Sequence, residues 1–174
     1  MANITTRNGV DLEKLVTTTS AIRADPNMAQ LKFRANTKWL DGARSRTNIK
    51  EFTIDADEPA VLLGSGKAPN AVEMVLAALG SCLAVGFAYN AAARGIVLQS
   101  LEIMLEGDLD LQGFLGTSDK VRPGYQNIKV KCRVKSSAPK EKIEELFKYV
   151  QRTSPVTDII RNPVPVIMEL EKQK

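Results

Sequence analysis

The sequence predicts an α+β protein in which amphipathic strands and helices surround one long apolar helix. Residues 72–93 consist mainly of Ala, Leu, Val and Gly, with hardly a charged side chain among them. Residues 31–39 and 125–135 alternate between apolar and polar side chains, which is the period of a half-buried strand. Residues 140–152 repeat apolar side chains at the spacing of an amphipathic helix. Strands and helices without regular βαβ alternation are typical of an α+β domain.

The composition describes an ordinary globular protein. The chain has 174 residues, of which 44% are hydrophobic and 25% charged, enough for one larger domain or two small ones. The net charge is only +4, and the basic residues are spread along the chain instead of forming one block. This charge distribution is too weak to argue for a nucleic-acid partner.

The chain contains no histidine, which excludes His-based acid–base catalysis, Ser–His and Cys–His nucleophile pairs, and the usual zinc and iron sites. Any catalysis must therefore use Cys, Arg, Lys, Asp, Glu or Tyr, and we expect no cofactor and no metal. Two cysteines do not form a disulfide framework, and residues 1–10 carry no apolar signal segment. We therefore expect a cytoplasmic protein.

The sequence of the first part of the chain predicts a marginal helix followed by two strands. Residues 10–22 carry apolar side chains at helical spacing, but a run of three threonines weakens this helix, which should end before Pro26. Residues 31–39 form the first strand. The Asp41-Gly42 pair then marks a turn into a second strand over residues 47–54.

The long apolar helix has recognisable ends. A loop over residues 57–69 leads to Asn70, a suitable N-cap, and Glu73 completes a variant of the capping box. Arg94 and Gly95 suit a last turn and a left-handed stop. At 1.5 Å per residue the helix is about 36 Å long, roughly the width of a small domain.

Because this helix is apolar on all sides, it needs partners all round. We expect a second copy of the chain to supply part of the cover, so a homodimer is predicted. The helix is also long enough to cross a membrane. However, it is rich in Ala and Gly, contains Ser81 and Asn90, and lies among amphipathic strands that need it as a core, so a buried helix is favoured.

The next segments predict two strands joined by a long loop. Residues 98–106 form one strand and residues 125–135 the other. The connection between them carries several glycines and the exposed-looking pair Phe114-Leu115, and long connections of this kind often line a site. Cys132 lies on the inward face of the second strand, and the basic row beside it is interpreted as the solvent face.

The remaining segments predict two helices and a strand. Residues 140–152 form the clearest amphipathic helix of the chain. Ser154 is predicted to be an N-cap and Pro155 the first residue of a short helix, which should end by Pro163. Residues 164–170 finish the domain as a strand.

Cys82 is the best candidate for chemistry, since it places one thiol midway along the apolar helix. A thiolate is a strong nucleophile and a target of oxidation. Free cysteine is also among the most buried residue types, so simple packing is the competing interpretation.

Several motifs along the chain resemble those of the OsmC/Ohr family, the osmotically inducible and organic hydroperoxide resistance proteins. The most specific is VEMVLAALGSC, ending at Cys82, which follows GSGKAPN at residues 64–70. Further matches are DEP at 57–59, AARGI at 92–96, GFLG at 113–116, RPGY at 122–125 and SPV at 154–156. The resemblance runs from about residue 31 to residue 170. It divides the chain into an N-terminal extension, 1–30, and an OsmC-like domain, 31–174.

The resemblance implies antiparallel sheets wrapped around long buried central helices in an intertwined homodimer, with two sites at the subunit interface. In the peroxidase members, a cysteine on the central helix reduces organic hydroperoxides and becomes a sulfenic acid. A second cysteine converts it into a disulfide. An arginine from the N-terminal β-hairpin supports the thiolate, because a nearby cation favours the ionised thiol. A glutamate at the start of the central helix orients that arginine.

Carried onto this chain, Cys82 matches the attacking cysteine, and Arg44 or Arg46 matches the arginine. The second cysteine is replaced by Ser154, and a hydroxyl cannot form the disulfide. The glutamate position holds Val72, since Glu73 lies one step further and is turned about 100° round the helix. This pattern resembles the branch of the family that lacks the second cysteine.

The leading hypothesis is a stress-response protein whose Cys82 reduces organic hydroperoxides or reacts with lipophilic electrophiles. Phe114 and Leu115 are expected in the substrate pocket, an external thiol would resolve the sulfenic acid, and neither nucleic acid nor membrane is a partner. The alternative is a non-enzymatic dimeric module that binds a small apolar ligand at the subunit interface. We interpret Cys132 as core packing, with a resolving role as the lesser alternative.

Overall fold

The computed structural model describes residues 6–172 and confirms a mixed α+β architecture. In chain order the elements are β1 Thr6–Arg7, β2 Val10–Asp11, α1 Leu12–Ala24, β3 Asn36–Asp41, β4 Arg44–Ile49, β5 Phe52–Ala56, α2 Ala71–Ala93, β6 Leu98–Asp108, α3 Leu111–Phe114, β7 Asn127–Ser136, α4 Lys140–Thr153 and α5 Pro155–Arg161. Short 3-10 turns lie at Pro26–Ala29 and Ala60–Leu62. The three sheets, β1-β2, β3-β4-β5 and β6-β7, are all antiparallel.

The central helix α2 begins and ends where the sequence predicts. The Asn70 side chain accepts a hydrogen bond from the Glu73 backbone N–H at 2.8 Å, and the Glu73 carboxylate accepts one from the Asn70 N–H at 2.9 Å. This reciprocal pair satisfies two of the N–H groups that a helix leaves free at its start. At the other end, Gly95 adopts a φ of +75°, which is the left-handed stop.

One face of α2 forms the core of the chain. Leu79, Leu83 and Phe87 are buried there, and α2 packs against β6, α4 and α5. The β7 prediction is confirmed: its apolar residues and Cys132 face the core, whereas its basic residues are exposed. Helix α4 adds Leu146 and Val150, and the Phe87 and Phe147 rings stack at 6.1 Å between centroids.

The opposite face of α2 is open in the single chain. Val85 and Tyr89 are each 51% exposed, so only one face of the helix packs against the core of the chain. Among the described residues, α2 is also the one helix long and apolar enough to cross a membrane, with a mean hydropathy of 2.0. The core helix of a soluble protein meets the same criterion, and the buried face of α2 already packs on a sheet and two helices.

The β3-β4-β5 sheet corrects two strand predictions. The predicted strand 31–39 starts only at Asn36, because Asn36 pairs with Asn48 near the end of β4 and the residues before it have no partner. The prediction of one strand over 47–54 is wrong. A tight turn with Lys50 at a φ of +53° divides it into the end of β4 and β5, and the two halves pair with each other. The Asp41-Gly42 turn is confirmed.

The N-terminal residues contain a small hairpin that the sequence analysis missed. Asn8 and Gly9 turn the chain from β1 to β2 with φ values of +53° and +76°. Asn-Gly is a strong two-residue hairpin signal, so this turn could have been recognised. The Asn8 amide donates to the Ile96 carbonyl and accepts from the Leu98 N–H, and these bonds tie the hairpin to the chain after α2. The predicted helix follows as α1.

The final strand prediction is wrong in the single chain. Residues 163–172 form no regular element, and Val166, Ile167 and Leu170 are strongly exposed. A strand needs a neighbouring strand to satisfy its backbone groups, and none of the described strands lies beside this segment. Residues 173 and 174 lie outside the described residues.

Candidate functional site

Cys82 lies at the border between the buried and the open face of α2. Its free thiol is half-buried and lines an open cleft of about 550 Å³. Helix α2 also contributes Val85, Tyr89 and Asn90 to this cleft, and α4 contributes Tyr149 and Val150 from the opposite side. Gly86 permits the close approach of the two helices, because a Cβ at that position would lie 3.1 Å from Val150 Cγ1.

Ser154 brings a hydroxyl to the Cys82 sulfur at the junction of α4 and α5. The Cys82 Sγ lies 3.2 Å from the Ser154 Oγ, and Ser154 is only 4% exposed. The same oxygen accepts hydrogen bonds from the backbone N–H and the hydroxyl of Thr157, at 3.2 Å and 2.9 Å. The predicted N-cap role of Ser154 is therefore confirmed, and the contact with the sulfur is an addition to it.

The residues that line the cleft include no acidic and no basic side chain. Two guanidinium groups lie over the ring of Tyr149, which lines the cleft, with Arg94 at 4.1 Å and Arg152 at 5.3 Å from the ring centroid. Arg94 also donates to the side-chain oxygen of Asn90 at 3.0 Å. This cluster was not predicted from the sequence. Because Arg152 follows Tyr149 by three residues on one helix, contact between these two could have been predicted from the sequence. The contact with Arg94 could not, since Arg94 lies far away in the sequence.

Arg44 and Arg46 lie on β4 and are held by acidic partners. Arg44 forms two hydrogen bonds with Asp41, at 2.8 Å and 2.6 Å, and Arg46 forms two with Asp55, at 2.7 Å and 2.9 Å. These hydrogen bonds lower the pKa of both Asp41 and Asp55. Both arginines line a separate cavity of about 350 Å³. Within one chain they do not line the Cys82 cleft, and the choice between them stays a prediction.

A tightly bonded loop connects β5 with α2. Asp57, only 2% exposed, accepts hydrogen bonds from the Ser65 hydroxyl and from the backbone N–H groups of Lys67, Ser65 and Glu58. These bonds lower the pKa of Asp57 to about 2. At Gly64 a Cβ would lie 1.7 Å from the Glu58 carbonyl oxygen, so the loop admits no side chain there. The loop therefore holds the start of α2 in a defined position.

Phe114 lines a different, mainly apolar cavity of about 320 Å³ at the start of α2, together with Val72 and Tyr125. The Tyr125 hydroxyl donates to the Val72 carbonyl at 2.8 Å, and burial raises the pKa of Tyr125. Ten residues of helix separate Val72 from Cys82, about 15 Å along the axis. Leu115 is exposed and does not line this cavity, so the predicted pocket pair does not meet Cys82 within one chain.

Cys132 borders a third cavity, between β7 and α4, and does not share the Cys82 cleft. Burial raises the pKa of its thiol, which opposes formation of a thiolate. The position agrees with a packing role. Across residues 6–172 no group of three or more Cys, Asp or Glu side chains is arranged to hold a metal ion.

The family comparison bears directly on this arrangement. The model of the OsmC-like protein family matches residues 64–169, from the loop before α2 to the C-terminal segment. The chain belongs to the OsmC-like family. The match includes α2 with Cys82 and the α4–α5 junction with Ser154. A search of curated protein sequences finds no match.

Solved structures of OsmC-like proteins share this fold. The OsmC-like protein of Mycoplasma pneumoniae is 16% identical to this chain. The match covers 77% of this chain and 90% of the Mycoplasma chain, with a TM-score of 0.68. An organic hydroperoxide resistance protein OsmC from Legionella pneumophila is also 16% identical, with 76% and 92% coverage and a TM-score of 0.59. A Vibrio cholerae protein described as a putative organic hydroperoxide resistance protein, with captopril bound in one of its active sites, is 13% identical, with 77% and 88% coverage and a TM-score of 0.56.

The resemblance described above implies that this OsmC-like chain departs from the peroxidase pattern at two positions. Ser154 stands 3.2 Å from the Cys82 sulfur, where that pattern has the second thiol. Val72 stands at the glutamate position, and its neighbour Glu73 uses its carboxylate in the capping box. The capping interpretation of Glu73 is therefore confirmed.

Proposed function

We propose that this OsmC-like protein reduces organic hydroperoxides through the single thiol of Cys82. The observation that supports the proposal most is the position of the Cys82 sulfur on an open cleft, with the Ser154 hydroxyl 3.2 Å away. Family membership and the organic hydroperoxide resistance proteins among its structural neighbours point to the same chemistry.

The reaction needs one thiolate and one external reductant. The Cys82 thiolate attacks the terminal oxygen of the hydroperoxide, the O–O bond breaks, and the substrate leaves as an alcohol after protonation. Cys82 is then a sulfenic acid. Ser154 cannot form a disulfide, so an external thiol condenses with the sulfenic acid and releases water. A second external thiol then releases Cys82 and forms an external disulfide. The same thiolate would also react with lipophilic electrophiles.

The cleft favours apolar substrates that approach the thiol from solvent. Its walls near Cys82 include Val85, Val150 and the ring of Tyr89, and no charged side chain lines it. A hydrophobic hydroperoxide would gain free energy by leaving water for this surface, whereas hydrogen peroxide would gain little.

A homodimer in the cytoplasm completes the proposal. The open face of α2 and the exposed C-terminal segment are apolar surfaces of the kind that a second copy would cover. Arg44 or Arg46 would assist Cys82 only after the two chains assemble, because neither lines the cleft of its own chain. Light scattering in solution should then give twice the chain mass of 19.0 kDa.

The direct test measures consumption of cumene hydroperoxide by the purified protein with dithiothreitol as reductant. We expect turnover by the wild type and by Cys132→Ala, but none above background by Cys82→Ala. Equal rates for wild type and Cys82→Ala would refute the proposal. Mass measurement of a sulfenic acid adduct on Cys82 after one equivalent of hydroperoxide would identify the reacting atom.

A further inference from the structure

We propose that Ser154 is a catalytic residue of this site, because its hydroxyl proton is directed at the Cys82 sulfur and stabilises the thiolate. The inference rests on the proposed function for its purpose, since a peroxidase needs the ionised thiol. Its evidence is independent, because it comes from the hydrogen bonds around one oxygen atom.

A serine hydroxyl has one proton to donate and two lone pairs that accept. The lone pairs of the Ser154 Oγ are both occupied: the Thr157 backbone N–H donates to one at 3.2 Å, and the Thr157 hydroxyl donates to the other at 2.9 Å. The remaining contact of the Ser154 Oγ is the Cys82 Sγ at 3.2 Å. The hydroxyl proton therefore belongs to that contact, with Ser154 as donor and sulfur as acceptor.

The direction of this hydrogen bond determines which protonation state of Cys82 it favours. A neutral thiol would have to donate its S–H to an oxygen that already accepts two hydrogen bonds, so the sulfur is the better acceptor in this contact. A thiolate, by contrast, accepts the Ser154 proton in a charge-assisted hydrogen bond, which is stronger than a neutral one. A hydrogen bond to the charged form of a group favours that form.

Burial strengthens the effect. Ser154 is 4% exposed, so water competes little for its proton. Thr157 fixes the oxygen from two directions, and Pro155 restricts the backbone beside it. The donor is therefore held in place before the thiol ionises, which is the arrangement that electrostatic catalysis requires.

The other titratable groups around the cleft do not supply a competing hydrogen bond. Helix α2 presents Tyr89 and α4 presents Tyr149, while the α5 side of the cleft contributes only the uncharged Pro155 and Ser154 itself. Arg94 and Arg152 lie over the Tyr149 ring. On β6, which packs against α2, the acidic side chains Glu102 and Glu106 are exposed and pair with Arg133 and Lys129 of β7.

A serine at position 154 therefore has two effects on Cys82, one after oxidation and one before it. It leaves the oxidised Cys82 without an internal thiol, so an external thiol must resolve it. It also donates to the sulfur before oxidation, and this supplies a cause for thiolate formation inside one chain, where neither Arg44 nor Arg46 lines the cleft.

The test measures the rate at which iodoacetamide alkylates Cys82 between pH 6 and pH 10, with the modified residue identified by peptide mass. We expect Ser154→Ala to react about tenfold more slowly than the wild type near neutral pH. The difference should narrow as the pH rises, because alkaline solution favours the ionised form of any thiol. Ser154→Thr should restore most of the rate, since it keeps the hydroxyl.

Equal rates for Ser154→Ala and wild type at neutral pH would overturn the inference. So would a slowing by the same factor at every pH, which would indicate altered access to the sulfur. Thr157→Val is a second variant that keeps the Ser154 hydroxyl and decides the matter if Ser154→Ala fails to fold. It frees one lone pair of Ser154, so a slowing smaller than that of Ser154→Ala is expected near neutral pH, and no slowing would contradict the assignment.

Alkylation does not involve a hydroperoxide, so the two proposals can fail separately. Slow alkylation of Ser154→Ala together with wild-type protein that consumes no hydroperoxide would support the role of Ser154 and refute the proposed function. Hydroperoxide turnover with unchanged alkylation of Ser154→Ala would do the reverse.

Discussion

The sulfur of Cys82 and the hydroxyl of Ser154 lie 3.2 Å apart, although 72 positions separate them in the chain. Helix α2 carries the thiol, and the junction of α4 and α5 carries the hydroxyl. Gly86 makes the approach possible because it lets α4 lie close against α2. This pair is the centre of the candidate site, and its geometry leads to the first prediction.

Replacement of Ser154 by cysteine should convert the single-thiol site into a disulfide-forming one. The two side chains already approach to hydrogen-bond distance, so little backbone movement is needed to join two sulfurs. After one equivalent of cumene hydroperoxide, Ser154→Cys should lose two free thiols per chain, and peptide mass should show a bridge to Cys82.

Thr153→Cys is the matched control for that experiment. Thr153 also lines the cleft, but its hydroxyl donates to the Tyr149 carbonyl and so is directed back along α4. We expect no bridge to Cys82 in this variant. Bridging of Thr153→Cys but not of Ser154→Cys would contradict the geometry described above.

The capping box of α2 should stabilise the protein without taking part in catalysis. Asn70→Ala removes the side-chain acceptor for the Glu73 N–H and should lower the free energy of unfolding by about 1 kcal/mol. Glu73→Gln keeps a capping-box residue and should change neither stability nor hydroperoxide turnover by much. Urea unfolding and the turnover assay measure the two effects. A large loss of turnover in Glu73→Gln at unchanged stability would show that its carboxylate acts in the reaction.

Asp57 should make the fold sensitive to acid. Its pKa is about 2 in the folded chain, below the usual value of 3.8, because the Ser65 hydroxyl and backbone N–H groups favour the ionised form. A lowered pKa means that the stabilisation is complete above about pH 4 and is lost as the pH falls towards 2.

Urea unfolding between pH 2 and pH 6 tests this prediction. The free energy of unfolding of the wild type should fall as the pH is lowered from 6 to 2. Asp57→Asn should be less stable than the wild type at pH 6, but its free energy of unfolding should change less with pH. An equally steep decline in Asp57→Asn would assign the acid sensitivity to other carboxylates. Asp41 and Asp55 are suitable comparisons, since hydrogen bonds from arginine also lower their pKa on the exposed sheet.

Tyr149 and Arg94 should couple the end of α2 to α4. Their cation–π contact at 4.1 Å should contribute about 0.5–1 kcal/mol, since Arg94 is exposed and Tyr149 is only half-buried. In a double-mutant cycle with Arg94→Gln and Tyr149→Leu, urea unfolding should show a coupling energy of that size. Arg133→Gln, which disrupts an exposed ion pair with Glu102, serves as a control with a smaller expected effect. Zero coupling in the cycle would show that the ring and the guanidinium are merely adjacent.

The parts of the fold that local chemistry controls were predictable. The ends of α2 follow from Asn70, Glu73 and Gly95, which act within a few positions of one another. The alternation on β7 and the apolar repeat on α4 were equally clear, and Ser154 with Pro155 predicted the start of α5. Of the residues for which the resemblance to a family implied a role, Cys82 and Ser154 line one cleft. Their meeting could not be read from any spacing.

The errors arose where a segment's structure depends on a distant partner. Residues 47–54 have the composition of one strand, yet they form two because the chain turns at Lys50 and β5 folds back to pair with β4. Residues 164–170 have a strand-like pattern but no partner in the single chain. Propensity favours an extended backbone in both places, and pairing decides whether it becomes a strand.

Sequence information was sufficient for the α+β class and for the bounds of the central helix, and the lack of histidine excludes His-based chemistry. The role of Cys82 as nucleophile stays a prediction. Packing alone decided that Ser154 contacts the sulfur, that Arg94 lies on Tyr149, and that Arg44 and Arg46 do not line the cleft of their own chain. The reason is physical. Caps and periodicity depend on neighbours within about one helical turn, whereas a reactive site depends on side chains from separate elements that meet only when the core is formed.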